Sequence, residues 1–111
     1  MIFMTLQAKL KAIGDAYAAV VPRSYHYWRP GMSAPFLVWA EDGGNQYYSD
    51  NQVSEQAITG STDYFTKMEY DPVIDDIQKA NASMGLAWRL NSVQFEEDTG
   101  LIHYEWAWEV R

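Results

Sequence analysis

The sequence predicts an α+β domain in which two helices pack on one face of a mostly antiparallel sheet, in the order α-β-β-β-α-β-β. Three observations carry that expectation. Apolar residues recur at helical spacing after Thr5 and again after Asp71, apolar and polar residues alternate from Ile102 to Val110, and turn-forming residues bound these segments. A length of 111 residues fits a single domain, residues 1–111. With 48% hydrophobic and 15% aromatic residues, the chain has enough apolar surface to offset its conformational entropy. Five Trp and eight Tyr exceed what one small core readily hides, because their polar tips need partners, so part of this set is expected at a contact surface.

The first element is a helix in which Leu6, Leu10, Ile13, Tyr17 and Val20 form the apolar stripe, Thr5 caps the start and Pro22 marks the end. "RSYHYW", Arg23 to Trp28, suits a short strand, and Pro30, Gly31 and Pro35 then interrupt the chain. "FLVWAE", Phe36 to Glu41, is apolar enough to be a central strand, and "EDGGN" is expected to turn it back, since Gly43 and Gly44 accept positive φ at little cost. Val53 to Lys67 reads as a long strand in which Gly60 signals a bulge or a close backbone approach. The second helix follows "DP", with Asp71 as N-cap, Pro72 at the first helical position, Asp75 and Asp76 near the positive end of the dipole, and Gly85 past the last turn. Its buried stripe is Val73, Ile74, Ile77, Ala80 and Met84.

A hairpin closes the chain. In "AWRLNSVQFEE" the apolar parity moves from Trp88 and Leu90 to Val93 and Phe95, which places a bulge at Asn91 and Ser92. After the turn "EEDTG", Ile102, Tyr104, Trp106, Trp108 and Val110 share one face, with His103, Glu105 and Glu109 on the other.

Composition narrows the function classes. Eight Lys and Arg against 15 Asp and Glu give a formal charge of −7, which repels a phosphate backbone, so specific nucleic-acid binding is not expected. The acidic residues concentrate in the second half, either as a solvated face or as one suited to a basic or mixed-charge partner. With no cysteine there is no disulfide framework, thiolate nucleophile or Cys-based metal site. "MIFMTLQAKLKAIG" lacks the pattern of a signal peptide, and nowhere do about 18 apolar residues run together, so a soluble intracellular product with no membrane partner is expected.

Chemistry is thinly represented. His26 and His103 are the only histidines, and each falls within an expected strand, where the ordinary reading is a surface or core-edge residue. Asp71, Asp75 and Asp76 are accounted for by a helix start, and Glu96, Glu97 and Asp98 by a solvated turn; neither group has the ligand spacing of a calcium loop. No nucleophile elbow, phosphate loop, dinucleotide fingerprint or zinc-protease pattern occurs, and no catalytic residue, cofactor or metal is expected.

The run "PFLVWAEDGGNQYYSDN", followed by a strand bearing Tyr64 and Phe65, a second helix and the hairpin "EEDTGLIHYEWAW", resembles the small tail-terminator-like proteins of phages and prophages of Gram-positive bacteria. The resemblance covers most of the chain and rests on the order of its motifs. Gly60 and Ser61 depart from it, standing where the family tends to be bulkier, as does the unusual Trp content of the last hairpin. It implies a structural virion subunit without catalytic activity, made in the host cytoplasm, that closes the tail tube and joins it to the head. The implied partners are further copies of itself in a ring, commonly hexameric, the tail tube and head–neck proteins. Arg29, Met32, Tyr47, Tyr48, Asp50 and Asn51 are the candidate contact residues, those of the "EDGGNQYYSDN" segment forming an aromatic, polar patch of the kind enriched at interfaces. The alternative is a small-molecule-binding or enzymatic α+β domain that uses the aromatic-lined sheet face, with His103 or His26 as polar contact. A third reading, an adaptor or regulatory protein borrowed from a prophage, is not separated from these by sequence.

Overall fold

The computed structural model describes residues 5–28, 31, 33–49 and 52–111, with side chains at all of these except 46–49 and 52–55. The elements run α1 (Leu6–Val20), β1 (Ser24–His26), β2 (Phe36–Ser49), β3 (Gln52–Thr66), α2 (Val73–Ser83), β4 (Ala87–Glu96) and β5 (Leu101–Val110). The five strands form one sheet in the order β1-β2-β3-β5-β4. β1 runs parallel to β2 and every other pairing is antiparallel, which gives the expected α+β class and element order.

Both helix starts follow from local chemistry. The Thr5 hydroxyl accepts from the Ala8 N–H at 3.1 Å, and Leu10, Ile13 and Tyr17 of α1 are buried. Before α2, Asp71 Oδ1 accepts from the Val73 N–H at 2.9 Å, while its Oδ2 accepts from the Tyr64 and Thr66 hydroxyls, each at 2.8 Å. Asp71 therefore joins the helix start to β3. Burial pushes its carboxyl pKa up, but the bonds from Val73, Tyr64 and Thr66 outweigh burial and hold it below its ordinary value. Burial first, and the adjacent carboxylate second, push the Tyr64 phenol well above its ordinary value.

Three sequence expectations are corrected. α2 begins at Val73 with Pro72 as its N-cap, one residue later than the expected cap at Asp71. "EDGGN" does not turn the chain: β2 continues through it to Ser49, and the pairing register with β3 slips between Glu41 and Gly43. Asp42 is thus a bulge, and its carboxylate accepts from the Thr59 hydroxyl at 2.7 Å. Gly44 is needed for strand contact, since a Cβ there would stand 2.6 Å from the Ala57 carbonyl oxygen. The first strand is also shorter than Arg23 to Trp28, because Tyr27 takes a φ of 72°, outside the extended region.

The core lies between the helices and one face of the sheet. Leu10, Ile13, Tyr17 and Ile77 meet Leu37, Trp39, Ile58, Tyr64, Trp106 and Trp108, all buried. Gly60 admits this packing: a Cβ would lie 2.5 Å from the Trp108 ring and 2.6 Å from the Ala40 carbonyl oxygen. The opposite face carries a smaller cluster of Phe36, Phe65 and Leu101.

A polar chain crosses the main core. Trp108 Nε1 donates to Thr62 Oγ1 (2.9 Å), Thr62 Oγ1 donates to the Tyr17 hydroxyl (2.8 Å), and that hydroxyl donates to Asn81 Oδ1 (2.6 Å). Burial pushes the Tyr17 phenol far up, so it remains a neutral donor. Among the described residues Asn81 Nδ2 has no partner, which makes its carbonyl bond to Tyr17 the more consequential. Tyr17→Phe should lower stability by about 1–3 kcal/mol, measured by denaturant unfolding, because it strands buried groups on two other elements. Asp71 contributes stability above the unfolded carboxylate pKa, and that contribution is lost as pH falls through its depressed folded value. Asp71→Asn should therefore weaken the fold at pH 7 and flatten the loss of stability below about pH 4, read from unfolding midpoints across a pH series.

Candidate functional site

The β2–β3 hairpin outgrows the sheet. Pairing of β3 with β5 begins at Ile58↔Val110, yet β2 and β3 continue to pair from Asn45↔Ala57 to Ser49↔Gln52. Those five register positions make a two-stranded arm extending about 17 Å past the sheet, at about 3.4 Å per residue. The long dimension of the molecule is accordingly 53 Å against 24 and 22 Å. Two contacts brace the base of the arm: Lys9 Nζ donates to the Gln56 carbonyl at 3.0 Å, and Asn45 Nδ2 donates to Glu109 Oε1 at 2.6 Å. A ribbon of two strands is marginally stable in water, so an arm of this kind gains by lying against another surface.

Of the sequence-based contact residues, Tyr47 and Tyr48 fall on this arm, paired in register with Glu55 and Val53. Their side chains lie outside the described residues. Arg29, Met32, Asp50 and Asn51 lie wholly outside them.

The other end of the molecule presents an apolar surface that sequence reasoning missed. On β4, Leu90, Val93 and Phe95 are cross-strand partners of Trp106, Tyr104 and Ile102, so they share the helix-bearing face. The register slip between Leu90 and Ser92 makes this possible, as the parity shift at Asn91 and Ser92 had indicated. Yet the three residues are 45%, 50% and 64% exposed. Tyr70 joins the patch, lining a groove with Ile102 and Tyr104. It is 89% exposed and holds a φ of 59°, a left-handed backbone that is strained for an aromatic residue.

Both histidines are paired. His26 stacks on Tyr27 and on Trp39, at 3.8 Å from each ring, and its Nε2 lies 2.7 Å from Glu41 Oε1. The Tyr27 hydroxyl donates to Glu41 Oε2. Burial pushes the Glu41 carboxyl up, but the bonds from Tyr27 and His26 outweigh burial and leave it lowered. This arrangement clamps the three-residue strand β1 to β2. On the helix-free face, His103 Nε2 lies 2.6 Å from Asp63 Oδ1, and the donor atoms of Asp63, His103 and Glu105 all stand within 4.8 Å of one another. These are the described residues whose chemistry suits a metal ion. Of the aromatic stripe on β5, Trp106 and Trp108 are buried in the core, while Tyr104 is half-buried and lines the groove beside Tyr70.

No protein-family model matches this chain, and a search of curated proteins returns no match. Among the described residues, no helix is long and apolar enough to cross a membrane.

The strain and exposure of Tyr70 give a test that separates folding from contact. Tyr70→Asn should leave the thermal midpoint unchanged or raise it, since Asn adopts the left-handed region more readily, while weakening any self-association measured by sedimentation.

Proposed function

We propose that the chain is a structural subunit of a phage or prophage tail, a tail-terminator or neck protein that assembles into a ring, closes the tail tube and joins it to the head. The observation that carries this reading is the pairing of a projecting arm at one end of the sheet with an exposed apolar patch at the other. The arm continues β2 and β3 beyond Ile58↔Val110, whereas Phe95 and Ile102 share their register row with Thr66 at the far end of the sheet. Arm and patch are different surfaces, so a contact between them is heterologous, and repetition with a closing rotation makes a ring. The arm of one copy lies against Leu90, Val93, Phe95 and Tyr70 of the next. Tyr and Phe are residue types enriched at the centre of interfaces, and three apolar side chains exposed in a row on an edge strand point to a covering partner. The order of motifs that resembles tail-terminator-like proteins supports the same reading. It assigns no catalytic residue, and it places the chain in the host cytoplasm during assembly and in the virion afterwards.

Light scattering of the purified protein over a range of concentration and salt tests this reading. A ring-sized species is expected, and Val93→Lys with Phe95→Lys should reduce it to monomer with circular dichroism unchanged, as should Tyr47→Ala with Tyr48→Ala. A wild-type chain that stays monomeric throughout, and also fails to bind isolated tail tubes, overturns it.

A further inference from the structure

We propose that Asp63, His103 and Glu105 form a binding site for one divalent transition-metal ion of the zinc class on the helix-free face of the sheet. The site is independent of ring assembly. Asp63 and Glu105 are direct cross-strand partners on β3 and β5, an arrangement that sets two carboxylates against each other, and His103 lies two residues before Glu105 on the same face. Their donor atoms already converge within 4.8 Å. Zinc holds nitrogen and oxygen ligands at about 2.0–2.2 Å in a tetrahedron, so its donor atoms stand roughly 3.4 Å apart. The 2.6 Å contact between His103 Nε2 and Asp63 Oδ1 therefore needs to open by less than about 1 Å to admit the ion.

The ligands are also oriented from behind. The Phe65 ring stacks on the His103 imidazole at a centroid distance of 4.2 Å and an angle of 20°. Asn91 Nδ2 donates to Glu105 Oε1 at 2.7 Å, which fixes that carboxylate; Asn91 is the bulge residue of β4. Such outer contacts orient metal ligands and tune their affinity. The side chains of His103 and Asp63 are 20% and 26% exposed, shielded yet reachable, so three protein ligands leave the remaining position to water. One imidazole beside two carboxylates favours zinc and its transition-metal neighbours over calcium or magnesium, which prefer oxygen ligands throughout.

Calorimetric titration of the tag-free, chelator-treated full chain with ZnCl2 tests the site. One ion per chain is expected to bind, with neither CaCl2 nor MgCl2 competing. His103→Gln and Glu105→Gln should each weaken binding at least tenfold, Asn91→Ala by about tenfold or more, and His26→Gln should leave it unchanged. Circular dichroism checks each variant for folding, and if His103→Gln unfolds, Glu105→Gln decides. Absence of binding to the wild-type chain, or equal affinity in the folded His103 or Glu105 variant, overturns the proposal.

Discussion

A buried run of three hydrogen bonds, from Trp108 through Thr62 and Tyr17 to Asn81, ties two strands and both helices at one point. Hydrophobic burial alone is nondirectional and tolerates sliding of a helix over a sheet; polar atoms buried beside it do not, because each displaced partner leaves a desolvated group unpaired. Tyr17 occupies the centre of this run, with a ring against Trp39 at 6.2 Å and a hydroxyl that both accepts and donates. The lateral position of α1 follows from it. That position puts Lys9 beside the Gln56 carbonyl and so braces the base of the arm.

Two bulges then distribute the remaining surface. Asp42 absorbs a register slip in β2 and lets that strand continue past the glycines into the arm instead of turning. Asn91 does the same in β4, bringing Leu90, Val93 and Phe95 onto one face while its own amide reaches Glu105 on the other. In both cases the extra residue bonds a neighbouring strand through its side chain, so the irregularity is held in place. The arm, the apolar patch and the Asp63–His103–Glu105 cluster all depend on where these two residues sit.

The two faces of the sheet differ accordingly. One is packed beneath the helices, with Leu90, Val93 and Phe95 of the edge strand β4 left exposed on it. The other face is polar toward β5 and β4, apart from the cluster around Phe36 and Phe65. The assembly contact and the ion site proposed above make no demand on the same side chains.

The sequence by itself determined the elements whose causes are local. Thr5 caps α1 and Asp71, one residue before the cap of α2, bonds its first N–H, each reaching only two or three positions along the chain; the alternation of β5 is its own pleat, and the parity change at Asn91 announced a bulge without reference to a partner strand. Tertiary structure decided the rest. Gly43 and Gly44 suit a turn and a bulged strand equally, and the choice fell to pairing with β3 on both sides of Asp42. Leu90, Val93 and Phe95 have the pattern of core residues, and their exposure emerged only once β4 took its place at the edge of the sheet. Asp63 and His103 stand 40 positions apart, so their meeting depends on β3 and β5 becoming neighbours, a nonlocal pairing that no short-range pattern encodes.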